Sequence, residues 1–286
     1  MSNASDSGLI LIDKPEGMTS RQVDNAIQKI FHTRKVGHLG TLDPFATGLL
    51  IVAVNKGTKV LPFLQDEEKT YIATLRLGQG SSTGDKDGEL FPLEDKQAFT
   101  KAEIEAVLPS FLGESTQIPP MTSAIKVDGT ALYKLAHQGK EIEREPRKIR
   151  IDALNFLSLK GNDLTFITTV SKGTYIRVLG EDIAKALGSK GHLIALRRVK
   201  IGDVSVDDAI PLEKANKTSL LDPAPFLSRY RTHVCSIKEE KGVRNGSALT
   251  LPYGEEEILA LSSAHEALAI LVKKPNGDYS VARGLF

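Results

Sequence analysis

Residues 37–48 read Gly-His-Leu-Gly-Thr-Leu-Asp-Pro-Phe-Ala-Thr-Gly and hold one imidazole, His38, and one carboxylate, Asp43, between glycines. Glycine lets backbone approach a ligand closely, and a lone carboxylate at the floor of a cleft can serve as nucleophile or base. A plainer explanation is that Asp43 caps a helical turn opened by Pro44, a common pairing. Residues 174–179, Thr-Tyr-Ile-Arg-Val-Leu, supply a second group. Their alternation predicts a strand with Ile176 and Val178 facing the core and Tyr175 and Arg177 facing the other way. There Arg177 is either a solvated face charge or the partner of Asp43, which a charge-assisted hydrogen bond would keep ionised.

The elements that must position these groups are legible in outline. Residues 8–13 (Gly-Leu-Ile-Leu-Ile-Asp) form a short apolar strand closed by Lys14-Pro15-Glu16-Gly17. Thr19 and Gln22 make a capping box for a helix with Val23, Ile27, Ile30 and Phe31 on one face. Residues 37–48 are too rich in glycine and proline for a regular element and open into an apolar strand, 49–54. In 70–77, Tyr71, Ala73, Leu75 and Leu77 share one strand face. Thr100 and Glu103 cap a second helix that Pro109 bends. Strands are expected at 149–157 and 164–170, with a helix over 181–187 stopped by Gly188. Residues 221–226 read as a linker, and 267–273 with 279–283 read as a hairpin in a small C-terminal β module.

Charge is uneven along the chain although its sum is small. The 37 Lys+Arg against 36 Asp+Glu leave +1, which excludes a uniformly basic nucleic-acid coat. Residues 117–150 nevertheless carry seven Lys/Arg against four acids, and 172–200 carry seven against two. Both stretches suit an anionic partner, and the first, with a short helical piece through Leu132 and Leu135, has the character of an insertion. One cysteine, Cys235, forms no intrachain disulfide, no Cys/His group has zinc spacing, and no phosphate-binding Gly loop is present. Residues 83–94 approach a calcium loop in spacing but put Thr83 where the first carboxylate belongs. The apolar runs are far shorter than the ~20 residues of a membrane span, and the N-terminus lacks a signal peptide's apolar core. A soluble, cytoplasmic protein without metal or cofactor is the expectation.

Six motifs taken together resemble one family. They are Asp13-Lys14-Pro15-x-Gly17-x-Thr19-Ser20; Val36-Gly37-His38-x-Gly40-Thr41-Leu42-Asp43-Pro44-x-Ala46-x-Gly48; Lys69-x-Tyr71; Gln117-x-Pro119-Pro120-x-x-Ser123-Ala124-x-Lys126; Ser171-x-Gly173-Thr174-Tyr175-Ile176-Arg177; and Leu196-Arg197-Arg198. In this order they are similar to the TruB family of tRNA pseudouridine synthases, over most of residues 9–200. The position of Leu39 usually carries a smaller or polar residue in that family.

The resemblance implies an α+β chain: a mixed-sheet pseudouridine synthase domain over 1–228, with an RNA-gripping insertion at about 117–150, and a small C-terminal all-β PUA-like module over 229–286. It implies that the uridine at position 55 in the tRNA T-arm is flipped out, its glycosidic bond cut, and C5 joined to C1′, without cofactor or metal. Asp43 matches the catalytic aspartate, Arg177 its arginine partner, and Tyr71 the tyrosine that stacks on the base and takes part in the later removal of the C5 proton, which makes these three the expected catalytic residues. His38, Tyr175, Lys14, Lys126, Arg144, Arg147, Arg197 and Arg198 are the expected RNA-binding residues. The expected partner is tRNA, with no membrane and no obligate protein partner. Two other readings stand beside this one: a tRNA-folding chaperone whose catalysis is incidental, and a guided relative acting within a ribonucleoprotein.

Overall fold

The computed structural model describes residues 6–93, 98–123, 126–127, 130–131 and 142–285. Strands β1 (Gly8–Lys14), β2 (Val36–Leu39), β3 (Thr47–Val54), β4 (Lys69–Leu77) and β5 (Gly113–Gln117) come first. The short pair β6 (Lys126–Val127) and β7 (Thr130–Ala131) precedes the long β8 (Arg147–Lys160), β9 (Asp163–Val170) and β10 (Gly191–Ile201). Two short strands follow, β11 (Val204–Ser205) and β12 (Ile210–Pro211). The order β12-β1-β3-β10-β4-β9-β8-β5, with β2 on β3 and β11 on β10, makes one ten-stranded mixed sheet.

Most neighbours in this sheet are antiparallel, but β3 and β10 run parallel through the pairs Arg197↔Thr47 and Arg198↔Gly48. That short contact is the seam between two half-sheets. Gly48 is required there, because a Cβ would lie 2.3 Å from the Arg198 carbonyl oxygen and φ is +100°. The chain enters β3 at this seam directly from the loop that carries Asp43.

Helix α1 (Ser20–Ile30) is set by the expected capping box, in which the Thr19 hydroxyl accepts from the Gln22 amide and the Gln22 side chain answers. Its Val23 and Ile27 are fully buried with Ile10, Ile12, Leu50 and Val52 on one face of β1 and β3. Fully burying such aliphatic side chains contributes about 1.5–3 kcal/mol each. Helix α2 (Leu61–Leu64) is a single turn. Helix α3 (Lys101–Val107) has its capping box at Thr100 and Glu103 and passes into a 3₁₀ turn at Pro109. Helix α4 (Ile176–Ala186) packs Ile176, Leu179, Ile183 and Ala184 onto β4, β9 and β10.

Three differences from the sequence-based expectations affect the site or its frame. Residues 174–179 are not a strand: Ile176, Leu179, Gly180, Ile183 and Ala184 are buried at helical spacing and outweigh a four-residue alternation, so α4 starts five residues earlier than predicted. Tyr175 is therefore the residue before that helix, and Arg177 points inward from its first turn rather than out from a sheet face. The glycine-rich loop is partly regular, since residues 36–39 pair with 51–54 as β2. Residues 221–226 are not a free linker, because Leu221 exchanges two backbone hydrogen bonds with Leu9 (3.0 and 2.8 Å).

A separate sheet, β13 (Arg231–Val234), β14 (Glu257–Leu261), β15 (Ala267–Lys273) and β16 (Tyr279–Gly284), forms the C-terminal module, hairpin included. The module also carries a helix, α5 (Ile237–Arg244), opened by a Ser236/Glu239 capping box that the sequence reading passed over. Leu259, Leu261 and Ile270 of this sheet share a core with Leu9, Leu11, Leu49 and Ile51. The module is thus packed against the back of the β1–β3 half-sheet.

Candidate active site

A cleft of about 670 Å³ opens at the seam. Its lining includes His38, Asp43, Lys69, Tyr71, Thr122, Arg147, Tyr175, Arg177, Leu196 and Arg198. The Asp43 carboxylate, one-third exposed, faces Arg177 across 134 residues of sequence. Arg177 Nε lies 3.0 Å from Oδ2, and Nη2 donates to Oδ1 at 3.3 Å. The capping explanation for Asp43 fails, since its carbonyl closes a turn to Ala46 N at 3.1 Å while its carboxylate goes to Arg177.

Arg177 is held from several sides. Nη1 donates to Thr83 O (3.0 Å) and Thr122 Oγ1 (2.5 Å), Nη2 to Thr122 O (2.9 Å), and Asp85 Oδ2 lies 3.4 Å from Nη1. With 3% of its side chain exposed, this guanidinium cannot be a solvated face charge. A planar fork fixed by three hydrogen-bond acceptors and the Asp85 ion pair presents one edge to Asp43 in a set geometry. Burial pushes the Asp43 carboxyl above its ordinary value; Arg177 pulls it down, and Asp85 adds like-charge repulsion.

The loop carrying Asp43 is pinned from below. Ser20 Oγ donates to Leu42 O (3.1 Å) and accepts from Leu42 N (2.9 Å). Gly17 N donates to Pro44 O at 2.8 Å. Lys14 is fully buried and donates to the carbonyls of Pro15 (2.9 Å), Met18 (2.5 Å) and Pro44 (3.3 Å). Burial lowers the Lys14 ammonium to about 8, against the attraction of nearby Asp43. The geometry gives Lys14 the work of holding a turn, not of reaching a backbone phosphate.

Arg198 has a comparable place. It is 1% exposed, and its Nε donates to Leu49 O (2.7 Å) while Nη2 donates to Gly40 O (2.9 Å) and approaches Leu39 O (3.5 Å). It thereby ties the two ends of the Asp43 loop together. Arg197 points elsewhere and is spanned by Asp13 in a two-pronged pair, 2.9 and 2.8 Å. Both arginines are expected from the sequence to bind RNA; Arg198 is instead buried on main-chain carbonyls, whereas Arg197 stays 40% exposed in its pair with Asp13.

Tyr71 is 8% exposed on β4, opposite Arg198 in register, and forms part of the cleft wall. Tyr175 is fixed through its backbone, which exchanges hydrogen bonds with the Gln117 side chain (2.7 and 3.1 Å), and burial raises its phenol. His38 Nδ1 lies 2.9 Å from Asp24 Oδ2, with Nε2 3.2 Å from Thr41 Oγ1. Arg147 lines the rim, exposed; Arg144 is half-buried and does not line it. The side chain of Lys126, and the helical piece through Leu132 and Leu135, lie outside the described residues.

Sequence reasoning missed Asp85, Thr122, Asp24 and Ser20. Asp85 lay in the turn dismissed as a calcium loop, and Ser20 stood inside a quoted motif without a role. Among the described residues no group of three or more His, Cys, Asp or Glu could hold a metal ion, and no helix is long and apolar enough to cross a membrane.

Comparison with known proteins bears on this geometry. A family model described as TruB family pseudouridylate synthase, N-terminal domain, matches residues 28–176. The tRNA pseudouridine synthase B of Mycobacteroides abscessus is 39% identical over 284 residues, covering 96% of this chain and 95% of that protein. The tRNA pseudouridine synthase B of Dechloromonas aromatica is 42% identical over 256 residues, covering 86% and 85%. Among solved structures, a chain of a Cbf5-Nop10-Gar1 complex superposes with a TM-score of 0.76 at 23% identity, covering 99% of this chain and 86% of that one. That likeness extends to the C-terminal sheet and concerns the fold.

Proposed function

The chain belongs to the TruB family of pseudouridylate synthases and isomerises uridine to pseudouridine in tRNA, and we propose that the target is the uridine at position 55 of the T-arm, with Asp43 as the group that acts on its ribose. The observation that carries this reading is the Asp43–Arg177 pair at the floor of a cleft large enough for one nucleotide. A base stacked inside a folded loop cannot reach this carboxylate, so the uridine must be extruded at a cost of a few kcal/mol, offset by stacking and backbone contacts.

In the cleft, the ionised Asp43 carboxylate either adds to ribose C1′ or removes a ribose proton to leave a glycal. Both routes break the C1′–N1 bond and leave the electron pair on the uracil, which turns and re-attaches through C5. As C5 bonds to C1′, Asp43 leaves C1′ or returns its proton to the ribose; the C5 proton then passes to a base while N1 takes a proton from water, so product and substrate are isomers. Arg177 keeps the carboxylate oriented without donating a proton, since a guanidinium stays charged throughout. Tyr71, in the wall opposite Arg198, is the stacking platform for the uracil. Arg147 at the rim supplies a sequence-independent grip on phosphate whose strength falls with salt. The synthase domain spans 1–228, and the 229–286 module widens the RNA-binding surface. We assign the cytoplasm as its place of action, where tRNA is the partner and no protein partner is required.

The site assignment is tested by incubating purified protein with an unmodified tRNA transcript and mapping the pseudouridine by carbodiimide adduct and primer extension. A single stop one nucleotide 3′ of position 55 is the expected result. A stop elsewhere, or dependence on an added guide RNA, would overturn it.

A further inference from the structure

Asp24 is a carboxylate on the buried face of α1, between Val23 and Ile27, where an aliphatic side chain would be expected. It is 1% exposed, and its Oδ1 has no hydrogen-bond partner. Its other oxygen, Oδ2, lies 2.9 Å from His38 Nδ1 and 3.5 Å from Arg21 Nη1, an arginine two-thirds exposed. A buried carboxylate satisfied on one oxygen lowers stability relative to an apolar residue of similar size. Its presence is accounted for by what it does to His38, which lines the cleft.

An ionised carboxylate only accepts, so Nδ1 of His38 must carry a proton. In the neutral ring Nε2 is then a lone pair, directed at Thr41 Oγ1 (3.2 Å) on the exposed start of the Asp43 loop. We propose that Asp24 is a positioning residue that fixes the tautomer and ring plane of His38, so that Nε2 is presented to RNA entering the cleft. The arrangement is that of a carboxylate orienting a histidine through the nitrogen that does not touch the ligand. Thr41 holds the free edge until RNA displaces it. The proposal rests on the reading of this cleft as the tRNA site.

The test combines Asp24→Leu, Asp24→Asn and His38→Ala with the double variant Asp24→Leu/His38→Ala. Turnover on an unmodified tRNA transcript, thermal denaturation, and ¹⁵N shifts of the histidine side chains in the intact protein are measured for each. Asp24→Leu is expected to lower kcat/KM about tenfold, mostly through KM, matching His38→Ala. Its Tm should be no lower than wild type, its His38 shifts should lose the Nδ1–H signature, and the double variant should be no worse than His38→Ala. Asp24→Asn, which still accepts from Nδ1–H, should restore most of the loss. Wild-type kcat/KM in Asp24→Leu, losses that multiply in the double variant, or a lowered Tm with unchanged His38 shifts would each overturn the proposal. Absence of wild-type turnover on tRNA would fell the functional reading itself. That result is distinct from absence of the Nδ1–H signature in wild-type His38, which fells this proposal alone.

Discussion

Arg177 meets Asp43 with two nitrogens on one edge, Nε at 3.0 Å and Nη2 at 3.3 Å, while Nη1 on its far side lies 3.4 Å from Asp85. One guanidinium therefore stands between two carboxylates, of which one faces the cleft and the other is buried behind it. A point charge on a flexible stem does not reproduce this arrangement. Arg177→Lys should lower kcat about 100-fold, with KM changed less than threefold, as expected for loss of a charge-assisted hydrogen bond and its ion-pair geometry at a reacting group. Steady-state turnover on tRNA transcript checks this, and a kcat within twofold of wild type would contradict it.

Asp85 also bears on the pH dependence. Burial, then the net of Arg177 attraction and Asp85 repulsion, leaves the Asp43 carboxyl above the usual 3.8. Its ionised form does the chemistry, so the rate should fall as pH drops through this raised value. Asp85→Asn removes a negative neighbour and leaves Arg177 undivided, and both changes favour ionised Asp43. The acid limb of single-turnover rate against pH should move to lower pH; a move to higher pH would contradict the assignment.

Lys14 supplies a stability prediction with the opposite sign to most lysine contacts. Its ammonium is lowered to about 8 in the folded chain and titrates near 10.5 when unfolded. Between those values the unfolded state binds more protons, so this group makes stability rise with pH, by up to about 1.4 kcal/mol per unit. Below pH 8 both states are protonated and the burial penalty is constant. Denaturant unfolding of wild type and Lys14→Met at pH 7.5 and 9.5 should show wild type gaining on the variant at the higher pH. A difference independent of pH would contradict it.

The two arginines at 197 and 198 separate a structural role from an RNA grip. Arg198→Met should cost about 3–5 kcal/mol of stability, because Leu49 and Gly40 carbonyls at the two ends of the Asp43 loop lose their donor. A phosphate contact would instead leave stability unchanged and reduce the salt slope of tRNA binding by about one. Denaturation midpoints and a salt titration distinguish the two, and unchanged stability would return Arg198 to the RNA surface.

What sequence alone could and could not disclose follows from the range of the interactions. The α1 capping box joins Thr19 and Gln22 within one turn, and the β4 alternation through Tyr71 is local, so both were readable. The Asp43 loop stood out because glycines and a carboxylate share twelve residues. Its pairing with Arg177 stands beside a solvated-charge reading on chemistry alone, the family resemblance favours it, and the local alternation points the wrong way. Residues 174–179 alternate as a strand would, yet Leu179, Ile183 and Ala184 bury a helical face that only the packed sheet makes visible. Asp85 and Thr122 reach Arg177 from the 83–88 turn and the 117–123 segment, and no spacing rule links such positions. Arg198 read as one more cation in a basic stretch because its acceptors, 149 and 158 residues away in sequence, are main-chain carbonyls.

The central claim is that the Asp43 carboxylate performs the isomerisation. The most direct measurement is tritium release from [5-³H]uridine-labelled tRNA transcript by wild type and by Asp43→Asn, with tRNA binding of both measured in parallel. Release by wild type, loss of at least about 10³-fold in Asp43→Asn, and affinities within a few-fold of each other are predicted. Release by Asp43→Asn near the wild-type rate would contradict the account.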